Sequence, residues 1–479
     1  MKTFKLSDSV DKNKVFIVQR SELEGRFEPE YYKPSISYIE KKVREQSNKK
    51  LRDYIVKISS GATPSVVEEE KFYADKDTGI PFLRVQNLQT NGELNIKDVK
   101  YINIETHQKY LKRSQVSEGN LLVKITGVGR MAIASVAPKD FVGNTNQHMV
   151  VIKTEDVKTS EYLANYLNLD IVEKLASRRS TGGTRPALDY KALKSIPIIE
   201  DLDFTPIHNV EKIKQQKESE AKALLASIDK YLLNELGITL PNKNNSLESR
   251  IFTTSSSELS GSRFDPDYFS IYYKSLQDAI ERSLFKTEKL KDISIKIFSG
   301  KTPSSSDYSD DITDYAVIKV GSYTEDLVDI SKQAYTTSSQ PYSIEEGDIF
   351  ILSAAHQAEY VGRHIKYLKE TPKNKTSFVG ELLCIRTDKL KMNSQFLYSL
   401  LNLELYKTLI NREKTGQTSH IYSKDIKNIL VPTPPIEKQN EIASYIQNTR
   451  NKARQLQENA KKIVEEAKKE VEKMILGEL

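Results

Sequence analysis

The chain is written twice. "VFIVQRSELEGRFEPEYY" at 15–32 is answered by "IFTTSSSELSGSRFDPDYF" at 251–269, and "LRDYIVKISSGATPS" from Leu51 by "LKDISIKIFSGKTPS" from Leu290. Further pairs keep the same order: "IPFLRVQNL" (80–88) with "YAVIKVGSY" (315–323), "VSEGNLLVKITG" (116–127) with "IEEGDIFILSAA" (344–355), and "STGGTRPALDYKALKSIPI" from Ser180 with "KTGQTSHIYSKDIKNILVP" from Lys414. Gly61 and Gly300 lie 239 positions apart and Ser180 and Lys414 lie 234 apart, so only small loop insertions separate the copies. A period this long does not fit a solenoid, whose units run about 20 to 50 residues and bury their faces only on neighbours. Each copy must therefore build its own core, and the 479 residues divide into tandem homologous domains.

Each copy ends in a helix of another kind. After Pro435, Ile442, Ile446, Thr449, Ala453, Leu456, Ala460, Ile463 and Ala467 alternate steps of four and three, and Val471 and Met474 continue the stripe, as in a coiled-coil seam. The counterpart from Pro206 carries Val210, Ile213, Ala221, Leu225, Ile228 and Leu232, is interrupted around Gln216 and Lys217, and stops at Gly237. A surface helix on the adjoining domain would explain one such segment; two at equivalent places point to pairing with each other. The predicted organisation is a globular domain at 1–205, a helix at 206–239, a second globular domain at 240–433 and a second helix at 434–479. Inside the domains, "NLLVKIT", "MVVIK", "DIFIL" and "ELLCIR" predict strands and 161–177 and 395–412 predict helices, which makes each copy α+β.

Composition narrows the function classes. No apolar run approaches the roughly 18 residues of a bilayer crossing, and "MKTFKLSDSV" has no signal-peptide core, so the expected address is cytoplasmic, with no membrane partner. One cysteine, Cys384 in "ELLCIR", excludes a disulfide within the chain and is expected to be a buried thiol. With 72 basic against 66 acidic residues the net charge is only +6, so nucleic-acid binding would depend on a local basic cluster. "ITGVGR" at 125–130 has Gly-x-Gly after an expected strand but lacks the rest of a dinucleotide fingerprint. The six histidines show no metal-ligand spacing with the lone cysteine, so no cofactor or metal is expected.

If the chain binds DNA, loops that combine glycine with basic and amide side chains are the expected contacts, because glycine lets backbone amides approach phosphate and Arg, Asn and Gln read bases. In the first copy these are Arg178, Arg179, Thr181, Gly182, Thr184 and Arg185 of "SRRSTGGTR", Lys124, Thr126 and Arg130 of the "ITGVGR" turn, and Gln86 and Asn87 as adenine readers. In the second they are Lys414, Thr415, Gln417, Thr418, Ser419 and His420 of "REKTGQTSH", with His356, Gln357 and Arg363 of "SAAHQAEYVGRH". The doubled "RFEPEYY" and "RFDPDYF" are expected to be structural, Pro29 and Pro266 pinning the turn that opens each domain, with Arg and acid paired inside the turn.

In this order, and twice over, these pieces resemble the specificity (S) subunit of type I restriction-modification systems. The resemblance spans nearly the whole chain and is carried by the paired Arg-Phe-acid-Pro openings, both "SGxTPS" elements, "EGNLLVKITGVGRMAIASV", "TGGTRPALDYKALKSIPI" and "PTPPIEKQNEIASYI". Three features depart from the pattern: Gln417 in place of the second glycine, the form of "SAAHQAEYVGRH", and "DLDFTPIHNVEKI" without Pro-Pro-x-x-x-Gln. The resemblance implies two tandem target-recognition domains separated by an antiparallel coiled coil of two long helices, pseudo-twofold symmetric, each domain reading half of an interrupted site on double-stranded DNA. It also implies partners: two methyltransferase (M) subunits, which would hold the methyl donor, and motor-nuclease (R) subunits. A self-contained methyltransferase would instead bind methyl donor by itself, and a coiled-coil assembly scaffold would bind neither donor nor DNA.

Overall fold

The computed structural model describes the chain except residues 1–5, 8, 66, 245, 248–249, 256–258, 260–264, 325, 417–418 and 479. It divides into two compact units, residues 1–216 with 459–479, and residues 217–458.

The first unit runs α1 (Pro34–Gln46), β1 (Lys57–Ser60), α2 (Glu69–Phe72), β2 (Ile80–Leu83), β3 (Lys100–Ile102), β4 (Gln115–Ser117), β5 (Leu121–Lys124), β6 (Ala134–Val136), β7 (Val142–Thr145), β8 (Met149–Lys153), α3 (Val157–Leu167), α4 (Asp170–Ser177), α5 (Tyr190–Lys194) and the start of α6 (Thr205–Leu236). One sheet has the order β1-β8-β5-β6, antiparallel throughout; the other is β3-β2-β7-β4, with β2 and β7 parallel. Successive strand residues point to opposite faces. Leu121, Val123, Val150 and Ile152 accordingly enter the core beneath the helices, while Leu122, Met149 and Val151 enter a smaller core on the other face. Burial on both faces explains why these strands are continuously apolar in sequence.

The second unit contains the rest of α6, then α7 (Ile271–Glu281), β9 (Thr287–Lys289), β10 (Ser294–Ser299), β11 (Tyr308–Ser309), β12 (Tyr315–Ile318), β13 (Ala334–Thr336), β14 (Ile349–Leu352), β15 (Ile365–Tyr367), β16 (Lys375–Phe378), β17 (Leu382–Thr387), α8 (Ser394–Leu401), α9 (Glu404–Arg412), α10 (Ser423–Ile426), β18 (Leu430–Pro432) and most of α11 (Ile436–Leu476). Its sheets are β10-β17-β14-β15, β11-β13-β12-β16 and the pair β18-β9. The division of faces repeats: Ile349, Ile351, Leu383 and Ile385 face the helical core, and Phe350, Leu352, Leu382 and the buried Cys384 face the smaller one.

Two sequence expectations need correction. The helices expected at 161–177 and 395–412 are each a pair, α3 with α4 and α8 with α9. In the first unit Asn168 breaks the run: its side chain accepts from Ala134 N (3.1 Å) and donates to Ala134 O (2.8 Å), completing β6's hydrogen bonds where a helix would have continued. The long-helix stripes also shift. Ile213 and Leu225 are exposed, and α6 buries Ala221, Ile228, Leu232 and Leu236; at the end of α11 Ile475 is buried and Met474 only half-buried.

Within the second unit α6 and α11 are antiparallel, with Glu235 paired to Lys438 (2.7 Å), Glu220 to Lys452 (4.0 Å) and Tyr231 stacked on Tyr445 at 3.9 Å between centroids. Within the first unit Val471 and Ile475 of α11 join the helical core. Glu472 accepts from Ile171 N (3.0 Å) in the first turn of α4, where a carboxylate satisfies an otherwise unpartnered helix donor. Among the described residues no helix is long and apolar enough to cross a membrane.

Candidate nucleic-acid interface

Strand register gathers the candidate loops. Ser60 pairs with Val150 and Lys124 with Met149, so the end of β1, the start of β8 and the end of β5 share one sheet edge. Three loops meet there: "SGATPS", the Asn146–His148 turn and "ITGVGR". Ile125 N donates to His148 O (2.9 Å), Leu188 N to Ile125 O (2.8 Å), and Thr63 Oγ1 to Gln147 Oε1 (2.5 Å). The Gly hairpin is the fourth member, closed by Thr181 N to Ala187 O (2.9 Å) and Ala187 N to Thr181 O (2.8 Å), and joined to the turn by Gly127 N to Pro186 O (3.0 Å).

The second unit repeats the assembly. Ser353 N donates to Glu381 O (2.8 Å), Ile421 N to Ser353 O (2.8 Å), and Thr302 Oγ1 to Glu381 Oε2 (2.9 Å). Its hairpin is closed by Thr415 and His420 (2.9 and 3.0 Å) and is one residue shorter, which moves the alignment from 234 to 233 beyond the loop. The glycine of each "SGxTPS" is fixed by close approach: a Cβ on Gly61 would stand 1.7 Å from Thr145 O, and one on Gly300 2.2 Å from Phe378 O. No larger residue fits either place.

Several expected contact cations point inward. Arg178 and Arg179 have side chains only 6% exposed and converge on Glu40 of α1, at 2.8 Å and 2.7 Å. Arg179 also donates to Leu175 O (2.7 Å) and Ser195 Oγ (3.1 Å). Burial alone would raise the Glu40 carboxyl, but Arg179, Arg178 and Arg44 together hold it below the usual carboxylate value. Arg130 is paired with Asp170 (2.5 Å) and donates to Asn168 O (2.6 Å), and Arg363 is paired with Glu404. Lys124 is buried and donates to Val128 O (2.8 Å), bracing the turn; burial lowers its pKa, with Glu173 opposing. Asn87 is buried too, donating to Asn95 O and Asp98 O (both 2.9 Å), while its neighbour Gln86 is exposed. Arg178, Arg179, Lys124 and Asn87 are buried polar groups that need a partner, and that partner lies inside the domain, while the part-exposed Arg130 and Arg363 are held by carboxylates of their own unit.

The "RFEPEYY" unit is structural and has a target. The Arg26–Glu28 pair (3.0 Å) forms inside the turn, and Arg26 also donates to Arg179 O and Ser180 O (both 3.1 Å), gripping the base of the Gly hairpin. Arg178 stacks on Tyr31 at 4.1 Å. In the second unit Arg412 stacks on Tyr268 at 4.6 Å and pairs with Glu413 (2.7 Å). Of "RFDPDYF", Arg263 and Phe264 lie outside the described residues, as do Gln417 and Thr418 of the hairpin.

At the first edge Thr181, Gly182, Thr184 and Arg185 remain exposed, with Thr126 half-buried. At the second, His356, Gln357 and Thr415 are exposed, and Ser419, His420 and Lys414 are half-buried, Lys414 donating to Asn411 Oδ1 (2.8 Å). The structure adds residues that sequence reasoning did not select: Thr63, Gln147 and His148 in the first unit, and Thr302 and Glu381 in the second. The doubled "SGxTPS" was the available signal, but only strand register brings it beside the hairpin. Each edge thus presents hydroxyls, amides and glycine backbone on a rigid sheet, suited to phosphate positioning and base-edge hydrogen bonding.

A family model described as the type I restriction modification DNA specificity domain matches residues 3–199 and 283–466. Among solved structures, a chain from a study of complex assembly and conformational transition of the type I R-M system is 14% identical with a TM-score of 0.48, covering 89% of this chain and 95% of that one. The HsdS subunit from Thermoanaerobacter tengcongensis and the type I restriction-modification S subunit from M. genitalium are each 14% identical with TM-scores of 0.36, covering 89% of this chain and 94% of theirs. No curated protein matches as a sequence relative.

Proposed function

The chain belongs to the type I restriction-modification DNA specificity family, and we propose that each of its two globular units reads one half of an interrupted, asymmetric DNA site. As a specificity chain it is non-catalytic and recognises DNA for a restriction-modification complex. The observation that carries the half-site reading is the recurrence of the same four-loop edge, on the same strands and with matching backbone hydrogen bonds between β5 and β14, their neighbouring turns and the hairpin, in both units. Methyltransferase subunits, holding the methyl donor, dock on the two long helices, two equivalent surfaces serving two identical partners. The helices set the distance between half-sites: the 32 residues of α6 span about 48 Å at about 1.5 Å per residue, comparable with roughly 14 base pairs.

The test is a map of methylated sites in cells that carry the chain with its methyltransferase partner. Replacing hairpin residues 181–187 by the 415–420 sequence should change one half of the mapped site and leave the other intact. Removing four residues from α6 and the facing four from α11 should shorten the gap by nearly two base pairs with both half sequences kept, since about 6 Å is lost. A hairpin exchange that alters both halves, or neither, would refute the division of labour; an unchanged gap would refute the ruler.

A further inference from the structure

Glu381 stands out in the second edge. At the equivalent place the first unit has His148: their backbone carbonyls accept from Ser353 N and Ile125 N in the same register. Glu381 is exposed and lines a recess with His356, His364, Lys366 and His420. The recess has a volume of about 880 Å³ and apolar walls that include Leu352, Ala354 and Ala355. Thr302 Oγ1 donates to Oε2 at 2.9 Å and so fixes the carboxylate, whereas Oε1 has no hydrogen-bond donor among the described residues.

A carboxylate repels phosphate, so on a DNA-facing edge its chemistry must be directed at a donor. The donors in the major groove are the exocyclic amino groups of cytosine and adenine. Adenine presents the N7 acceptor beside its N6 amino group, and an acceptor-only carboxylate has nothing to offer N7. Cytosine presents its N4 amino group with no adjacent acceptor. We propose that Glu381, positioned by Thr302, reads a cytosine in the half-site of the second unit by accepting a hydrogen bond from the exocyclic amino group. This inference rests on the half-site reading above.

Methylated-site mapping with the assembled complex tests it, comparing the wild-type chain with E381A, E381Q and T302V. With E381A, one position of the second half-site should lose its preference for cytosine by roughly ten- to a hundredfold while the first half-site is unchanged. E381Q should shift that position toward adenine, because an amide supplies both the donor and the acceptor that adenine's edge requires. T302V should relax the same position less. If E381A leaves both halves as they were, or relaxes a position that is not cytosine, the inference is overturned while the half-site reading stands. If the wild-type map itself has no two separated halves, the underlying reading fails first. Co-purification of E381A with the methyltransferase subunit, at the wild-type melting temperature, confirms that the exposed substitution leaves the fold intact.

Discussion

Beneath the Gly hairpin the two units solve the same problem with different charges. Arg178 lies on Tyr31 and Arg412 on Tyr268, at 4.1 and 4.6 Å, in equivalent positions. In the first unit the neutralising carboxylate is Glu40 on α1, and it also serves Arg179; in the second, Gln277 stands at the equivalent place on α7, and the residue after the arginine is Glu413. The tyrosine–arginine stack is common to both, and the acid has moved from the helix to the loop. What the hairpin base needs is a desolvated guanidinium with a carboxylate beside it, from whichever side the carboxylate comes. The sheets differ in the same manner: β2, β3 and β7 match β12, β13 and β16, but the fourth strand is β4 beside β7 in one unit and β11 beside β13 in the other. Shared strands hold the loops, and the edges vary.

The sharpest way to break this comparison is E40Q. It strands Arg178 and Arg179 on a neutral partner, and breaking a buried ion pair costs about 3 to 5 kcal/mol, so the full-length chain should show a melting transition lowered by roughly 10 °C. E40Q with R179E recreates the charge pattern of the second unit and should recover most of that loss; a double variant no better than E40Q would show that the two arrangements are not interchangeable. Because the Glu40 carboxyl is held below its usual value, its stabilisation is present above the unfolded carboxylate pKa and is lost as pH falls through the lower folded one. Acid unfolding should therefore be less steep in E40Q than in the wild-type chain.

A second difference lies at the helix starts. Gln439 is buried, donates to Lys391 O (3.0 Å) and Pro434 O (2.8 Å), and accepts from Asn393 N (2.8 Å); the equivalent residue of α6 is Val210. Q439V should cost about 2 kcal/mol by leaving those backbone groups unpartnered, measured as a shift of the denaturant midpoint. Val210→Gln should give no matching gain, because the first unit has not been built around an amide there.

Smaller effects separate contact from support. R185A, at an exposed hairpin position, should flatten the log–log salt dependence of DNA binding by about 0.9 without moving the melting temperature. R178A should do the reverse, lowering stability while leaving the salt slope as it was. Smallest of all, K124L copies Leu352 of the second unit and should change stability by about 1 kcal/mol or less, the lost bond to Val128 O being offset by no longer burying an ammonium.

The sequence by itself determined the duplication, the strands of each core, the inward Cys384 and the structural nature of the first Arg-Phe-acid-Pro turn. These are properties of local periodicity and repeated order, visible wherever apolar residues recur at the spacing a strand or helix imposes. It did not distinguish free cations from buried ones. Arg178, Arg179 and Arg185 stand together in "SRRSTGGTR", yet only the first two find a carboxylate, Glu40, and the bond from Arg179 spans 139 positions. Nor did it bring Thr63 beside Gln147 or Thr302 beside Glu381, because such neighbours are set by antiparallel register between strands far apart in the chain. Side-chain type fixes what a residue is able to bond; the fold alone decides which partner reaches it first, and a charge already paired and buried inside the domain is not presented to DNA.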